Sequence, residues 1–283
     1  MMGGRWIKFI NLPRPYLFVI PAAAGVCGVF LSCENPSNIA ITLGTLVPVL
    51  AWAGGQVFND YFDIDVDRIK HPEWPIPSGA VSKQEAAIYG LLLYITCLIL
   101  AAFANIYCLI ASLLAITLAT LYGYLGKLKR KGLFRNFCFG LAVATCILIG
   151  STVGENTSLL VIAVMAVVTL IYTGDNIIGR YPDIEIDRKM DICTLPIQIG
   201  EKLAAKIAFL LTVSAVCITM FLWLLGLHIS YLPTAFIAGL SLTSLAFSVF
   251  KDPEKFGTLP TILSRYMSQL LLYISLIIGA KGW

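Results

Sequence analysis

The chain has 283 residues, of which 58% are hydrophobic and only 13% charged, with a mean hydropathy of +0.85. A water-soluble domain carries roughly a quarter charged residues, so this composition excludes a disordered chain and a nucleic-acid binder, and argues against a soluble enzyme. The net charge of +4 is small, and its meaning lies in where the charges sit.

A helix that crosses a membrane needs about 20 mainly apolar residues. Nine such runs follow along the chain: 16–32, 39–58, 86–104, 106–125, 136–153, 158–178, 206–227, 231–250 and 262–280. Most are apolar on every face, as helices bundled in lipid are, and none alternates as a barrel strand would. The predicted fold is all-α: a polytopic membrane protein of nine transmembrane helices in one bundle, a single domain over 1–283. Arg5, Lys8 and Arg14 precede the first run as in a signal peptide, but no cleavage site leads into a soluble domain, so the run reads as a span. Eight cysteines include no C-x-x-C pair and read as small packing residues.

The basic residues fix an expected orientation. The N-terminus and the even-numbered loops hold nineteen of the 20 Lys and Arg, and only Lys281 falls on the other side. The positive-inside rule therefore predicts a cytoplasmic N-terminus and an external C-terminus. Fourteen of the 16 acidic residues share the cytoplasmic side, and eleven of them form two clusters, Asp60 to Glu73 and Asp175 to Glu201, around the motif regions 56–79 and 175–200.

The first cluster reads Gln56-Val-Phe-Asn59-Asp60-Tyr-Phe-Asp63-Ile-Asp65-Val-Asp67. As a continuation of the second span, its spacing predicts Asn59, Asp60, Asp63 and Asp67 on one helical face. Carboxylates stacked at a membrane boundary are costly and usually functional. Their chemistry suits Mg²⁺, which takes one or two carboxylates and completes its shell with water and phosphate. The plainer alternative is a solvated acidic helix end paired with Arg68 and Lys70. The second cluster contains Asp183, Glu185, Asp187 and Asp191, with Asp183, Asp187 and Asp191 stepping by four. Each cluster ends an even-numbered span, so the chain reads as two similar halves that present acidic helix ends to a shared cavity.

Asn59-Asp60-x-x-Asp63-x-x-x-Asp67, followed by Pro75-Ile-Pro77-Ser78-Gly79, resembles the first signature of the UbiA superfamily of intramembrane prenyltransferases. Asp183-x-Glu185-x-Asp187-Arg188-Lys189, followed by Thr194-Leu195-Pro196 and Gly200, resembles the second. Leu12-Pro13-Arg14-Pro15 and the stretch holding Tyr124, Leu128-Lys129-Arg130, Leu133 and Asn136 are weaker echoes. Within the superfamily the run 59–79 is similar to the archaeal-lipid, chlorophyll and homogentisate branches.

The resemblance implies transfer of an isoprenyl chain from an allylic diphosphate to a lipid, aromatic or quinone-precursor acceptor in the membrane, with Mg²⁺ as cofactor and no nucleic acid as partner. Carried over, Asn59, Asp60, Asp63, Asp67, Asp183 and Asp187 would hold metal, the five aspartates acting as the catalytic set. Asn59, Arg68, Lys129, Arg130 and Arg180 would bind diphosphate. Metals and cations together neutralise a departing diphosphate in a poorly solvated site. Three positions depart from the family pattern: Trp74 stands where Arg is frequent, Arg180 where the second motif usually opens with Asp, and Ile186 where Gly is usual. Arg180 either contacts diphosphate or neutralises Asp183. Trp52, Phe58, Tyr124, Tyr172 and Tyr181 are open to packing roles or to stabilising an allylic cation, and His71 to an ordinary loop role or that of a base. The rival functions are a terpene cyclase on the same scaffold and a cation-coupled transporter; the latter should carry its charges near the bilayer midplane.

Overall fold

The first span is not one straight helix. In the computed structural model, which describes residues 3–127, 130–252 and 259–282 (only the backbone of 3–6, 127, 130–131 and 259), helix α1 (Gly3–Asn11) stops before Pro13. Arg14 precedes Pro15, whose ring disfavours the right-handed helical region for its predecessor, and Arg14 adopts a left-handed conformation with φ 55°. A 3₁₀ turn, Pro15–Leu17, then leads into α2 (Val19–Ser32). The two segments are bent by 51° and together supply one span.

Eight further helices among the described residues are long and apolar enough to cross a membrane, which agrees with nine spans. They include α3 (Asn38–Phe62), continued by the short α4 (Ile64–Lys70), then α5 (Lys83–Ala104) and α6 (Ile106–Lys127). The second half begins with α7 (Leu133–Val153) and α8 (Leu159–Ile178), continued by the short α9 (Ile184–Lys189). After α10 (Leu195–Ile199) come α11 (Glu201–Met220), α12 (Leu232–Lys251) and α13 (Leu259–Lys281).

Helix α7 packs against α2, α6 and α8, while α13 returns to pack on α2 and so closes the bundle. Buried residues of α2, α7, α8, α11, α12 and α13 form one continuous apolar core. Large apolar side chains such as Ile88, Leu92, Phe103, Phe236 and Leu240 point outward, as a lipid-facing surface requires. The seam around α2 is tight because it is glycine-lined. A Cβ on Gly25 would lie 1.9 Å from the Gly44 carbonyl oxygen of α3, and one on Gly150 of α7 would lie 1.9 Å from the Gly25 carbonyl oxygen.

One element has no counterpart in the sequence reading. Two-residue strands β1 (Arg130–Lys131) and β2 (Cys193–Thr194) pair in parallel, Arg130 opposite Cys193 and Lys131 opposite Thr194. The basic loop after α6 is thereby tied to the loop that follows the second acidic motif. The chain ends lie at opposite ends of the bundle. Lys8 of α1 donates to the Glu73 carbonyl beyond α4, while Lys281 of α13 donates to the Glu34 carbonyl in the α2–α3 turn. Of the eight cysteines, five are buried, as packing residues should be, and Cys193 and Cys217 are exposed.

Candidate active site

Both acidic motifs lie where a long helix gives way to a short one. Helix α3 ends at Phe62; the Asp63 N–H closes it onto the Asn59 carbonyl at 2.9 Å, and Asp63 itself leaves helical geometry with φ −90° and ψ 10°. Helix α8 ends at Ile178, and Pro182 opens a 3₁₀ turn, Tyr181–Asp183, ahead of α9. These breaks correct the expectation of straight acidic faces. Asn59, Asp63 and Asp67 do line one cavity, but Asp60 does not: it is 2% exposed and binds Arg14 Nη2 at 2.6 Å. Asp191 lies past α9 in a left-handed conformation, exposed and out of line with Asp183 and Asp187.

The cavity holds about 400 Å³ and runs from a charged mouth into an apolar interior. Asn59, Asp63, Asp67, Lys70, Arg180 and Asp183 belong to its polar lining; Ile20, Ala51, Ala115, Phe139, Val143 and Tyr172 belong to the apolar part. Of the residues expected in the site, Asn59, Asp63, Asp67, Arg180 and Asp183 therefore come together. Asp187 is fully buried behind them. Arg68 does not reach the cavity; its side chain is exposed and lies 3.8 Å from Asp65. Lys129 falls outside the described residues, and of Arg130 only the backbone is described. Among the aromatic candidates, Trp52 and Tyr172 line the cavity, whereas Phe58 stacks on Tyr94 and Tyr124 is exposed.

Several residues in the site were not expected there. Lys70, from α4, joins the two motifs: its ammonium lies 2.8 Å from Asp183 and 2.7 Å from Asp187 and is almost fully buried. Its position three residues past Asp67 was the available signal, read only as a surface pair for the acids. Arg135 is 1% exposed, donates to the Tyr122 carbonyl at 3.0 Å, stacks over the Tyr122 ring and reaches within 3.7 Å of Asp63. Tyr122, rather than Tyr124, faces inward, and its hydroxyl takes hydrogen bonds from Arg180 (3.0 Å) and Asn176 (3.1 Å). Arg14 lies over the Trp74 ring, 4.2 Å from its centroid, and Trp74 stacks on His71. A cation thus stands beside Trp74 even though the sequence lacks one at that position. Nothing in the apolar run around Tyr122 marked it, and the linear distance from Arg14 to Trp74 hid their contact.

The donors at the mouth are hard oxygens. Among the described residues, the buried Asn59 Oδ1 and Asp187 Oδ2 accept no hydrogen bond. No three acidic, histidine or cysteine side chains of the described residues converge to enclose an ion on their own. That set fits a divalent ion that takes a few protein oxygens and completes its shell with water and phosphate.

A helical membrane bundle with an amphiphilic cavity, acidic and basic at the mouth and apolar within, is built for an enzyme that handles a lipid with an anionic head. Residues 18–256 match the UbiA prenyltransferase family, and the chain belongs to that family. It is a membrane prenyltransferase, which transfers an isoprenyl chain to an acceptor. The chain is 32% identical over 275 residues to digeranylgeranylglyceryl phosphate synthase of Pyrococcus abyssi, covering 96% of each protein. It is 29% identical over 277 residues to the same enzyme of Thermococcus kodakarensis, covering 97% of this chain and 96% of that one. A solved digeranylgeranylglyceryl phosphate synthase structure superimposes with a TM-score of 0.79 at 26% identity over 99% of this chain and 100% of that one. A UbiA homologue from Archaeoglobus fulgidus, bound to GPP and Mg²⁺, shares the fold with a TM-score of 0.77 at 20% identity, covering 98% and 100%.

Proposed function

We propose that the chain joins a polyprenyl group from an allylic diphosphate to the free hydroxyl of a prenylated glyceryl phosphate, the reaction that names its relatives. The observation that carries this reading is that those relatives match along 96% of both lengths. Loss of diphosphate leaves an allylic cation at C1 of the donor; the acceptor hydroxyl oxygen bonds to C1 and gives up its proton. Asn59, Asp63, Asp67 and Asp183, which line the mouth, would hold Mg²⁺, with Asp60 and Asp187 supporting them from behind. When bound, the ion neutralises diphosphate charge and so favours its departure. Arg180 and Lys70 bring cations to the same mouth, where a water-poor setting strengthens each contact. Trp52, Phe139 and Tyr172 surround the apolar interior and present ring faces to a developing cation. Binding of GPP and Mg²⁺ by the Archaeoglobus fulgidus homologue supports the donor class and the metal.

The asymmetry of Lys and Arg supports a cytoplasmic mouth. The test is product analysis by mass spectrometry, using purified protein in detergent, geranylgeranyl diphosphate, Mg²⁺ and one acceptor at a time. A diether glyceryl phosphate product is expected. A product formed only with an aromatic acceptor would sink this reading, and a cyclic hydrocarbon formed without any acceptor would mean that the scaffold acts as a cyclase.

A further inference from the structure

A second polar cluster lies in the cavity wall, contributed in part by a helix that carries no motif residue. Asp175 of α8 lies 3.5 Å from Arg265 Nε of α13 and accepts a short hydrogen bond from the Gln269 amide, one helical turn along. All three line the cavity together with Tyr266. Arg265 and Asp175 have side chains only 13% and 14% exposed. A charged pair within apolar helices is costly to desolvate, and such groups persist where they serve a ligand. Gln269 is 2% exposed, and its carbonyl oxygen accepts no hydrogen bond among the described residues.

Asp175 lies in the last turn of α8 and Arg180 just beyond its end, while Arg265 enters the cavity from α13. The cavity therefore carries two cation centres, Arg180 beside the acidic motifs and Arg265 beside Asp175. A reaction between an allylic diphosphate and a glyceryl phosphate brings two phosphorylated groups into one cavity, separated by the reacting carbon and oxygen and a short glycerol link. One cation centre serves each.

We propose that Arg265 and Gln269, held in place by Asp175, bind the phosphate head of the acceptor. A guanidinium presents a planar fork of donors that matches a phosphate monoester, and Asp175, 3.5 Å from Arg265 Nε, orients that fork toward the cavity. The Gln269 oxygen accepts a hydrogen bond from the glycerol moiety or from the phosphate monoanion. This assignment rests on the glyceryl phosphate reading above and adds the residues that select an acidic acceptor over a neutral one.

The test compares the wild type with Arg265→Gln and Arg265→Lys. Each is assayed with geranylgeranyl diphosphate and either the prenylated glyceryl phosphate or the same prenylated glycerol without phosphate. Losing one charge-assisted contact should raise the KM for the phosphorylated acceptor about tenfold or more in Arg265→Gln, while the donor KM moves less than about twofold. Arg265→Lys should recover only part of the loss, because it restores the charge without the planar fork, and the three proteins should differ far less with the neutral acceptor than with the phosphorylated one. That last measurement also separates a lost contact from a damaged fold, because a damaged fold lowers both activities. An unchanged KM for the phosphorylated acceptor in Arg265→Gln would overturn the assignment, as would an equal rise in the donor KM, which would place the donor's diphosphate there. If the wild type makes no product from the glyceryl phosphate, the reading beneath the assignment fails and takes the assignment with it.

Discussion

Arg180 is the residue at which sequence and structure inform each other most. Its spacing put Asp183 within reach, yet its guanidinium turns to the Tyr122 hydroxyl, 3.0 Å away, and lines the cavity. Lys70 already occupies Asp183 and Asp187. With Asp183 held by Lys70, we propose that Arg180 contacts the diphosphate. Arg180→Ala should raise the donor KM about tenfold, the worth of one charge-assisted contact, and Arg180→Asp should be worse still. Steady-state kinetics decide the matter, since an Asp variant more active than the Ala variant would mean that this position prefers a metal ligand. Asp63→Ala and Asp183→Ala should each lower kcat by about a hundredfold or more, because charge stabilisation is the largest single contribution at such a centre. Mn²⁺ binding followed by electron paramagnetic resonance should weaken in parallel, and retained turnover in both variants at saturating Mg²⁺ would remove them from the metal set. The residues legible in the sequence were those with a short-range pattern. Lys70, Arg135 and Arg265 escaped because a cation earns its role from a partner on another helix, which no local spacing records.

At the level of elements, the hydropathy runs located the spans to within a few residues but could not see where a helix stops inside an apolar stretch. The run 206–227 passes through the end of α11 at Met220 and a 3₁₀ turn, Leu222–Leu225, before Gly226 turns left-handed at φ 98°. Those residues are as apolar as a span, so composition alone cannot separate them. Helix α1 is too short to register as a span, and the β1–β2 pair joins two distant loops through backbone hydrogen bonds that side-chain patterns do not encode. The breaks at Asp63 and ahead of Asp183 matter more. They let a membrane helix end at the surface and turn its carboxylates into the cavity rather than stack them along one side. The glycine seam makes the sharpest demand at this scale. With carbonyl oxygens 1.9 Å from any added Cβ, Gly150→Leu should force α2 and α7 apart. A loss of about 2 kcal/mol or more is expected from such overpacking, measurable as lower thermal stability in detergent. The same substitution at Gly79, which has nothing within 4 Å, strains only a loop with φ 74° and should cost less.

For the whole molecule, the mouth of the cavity and Lys281 lie at opposite ends of the bundle, so two thiols can report orientation. Cys193 is exposed beside the second motif, and Asn35 lies in the α2–α3 turn next to Lys281. In sealed vesicles a membrane-impermeant maleimide should label Cys193 from the cytoplasmic face and an Asn35→Cys thiol from the other. Labelling of both from one face would contradict the five spans, α3 and α5 to α8, that separate them.

The tightness of the α2 seam also sets a length scale. Helices that meet backbone to backbone cannot part, so α2, α3 and α7, each of which contributes residues to the cavity lining, hold its dimensions fixed. The small residues Ala51 and Ala115, each 4% exposed, line the cavity, and we propose that their size leaves room for the donor's tail. Enlarging one of them should shorten the tail that fits. With Ala115→Phe, turnover of geranylgeranyl diphosphate should fall about tenfold while geranyl diphosphate is spared, because a bulkier side chain excludes the distal units of the longer chain alone. Competition between the two donors in one reaction measures that ratio directly, and an unchanged preference would mean that the tail lies along a different wall.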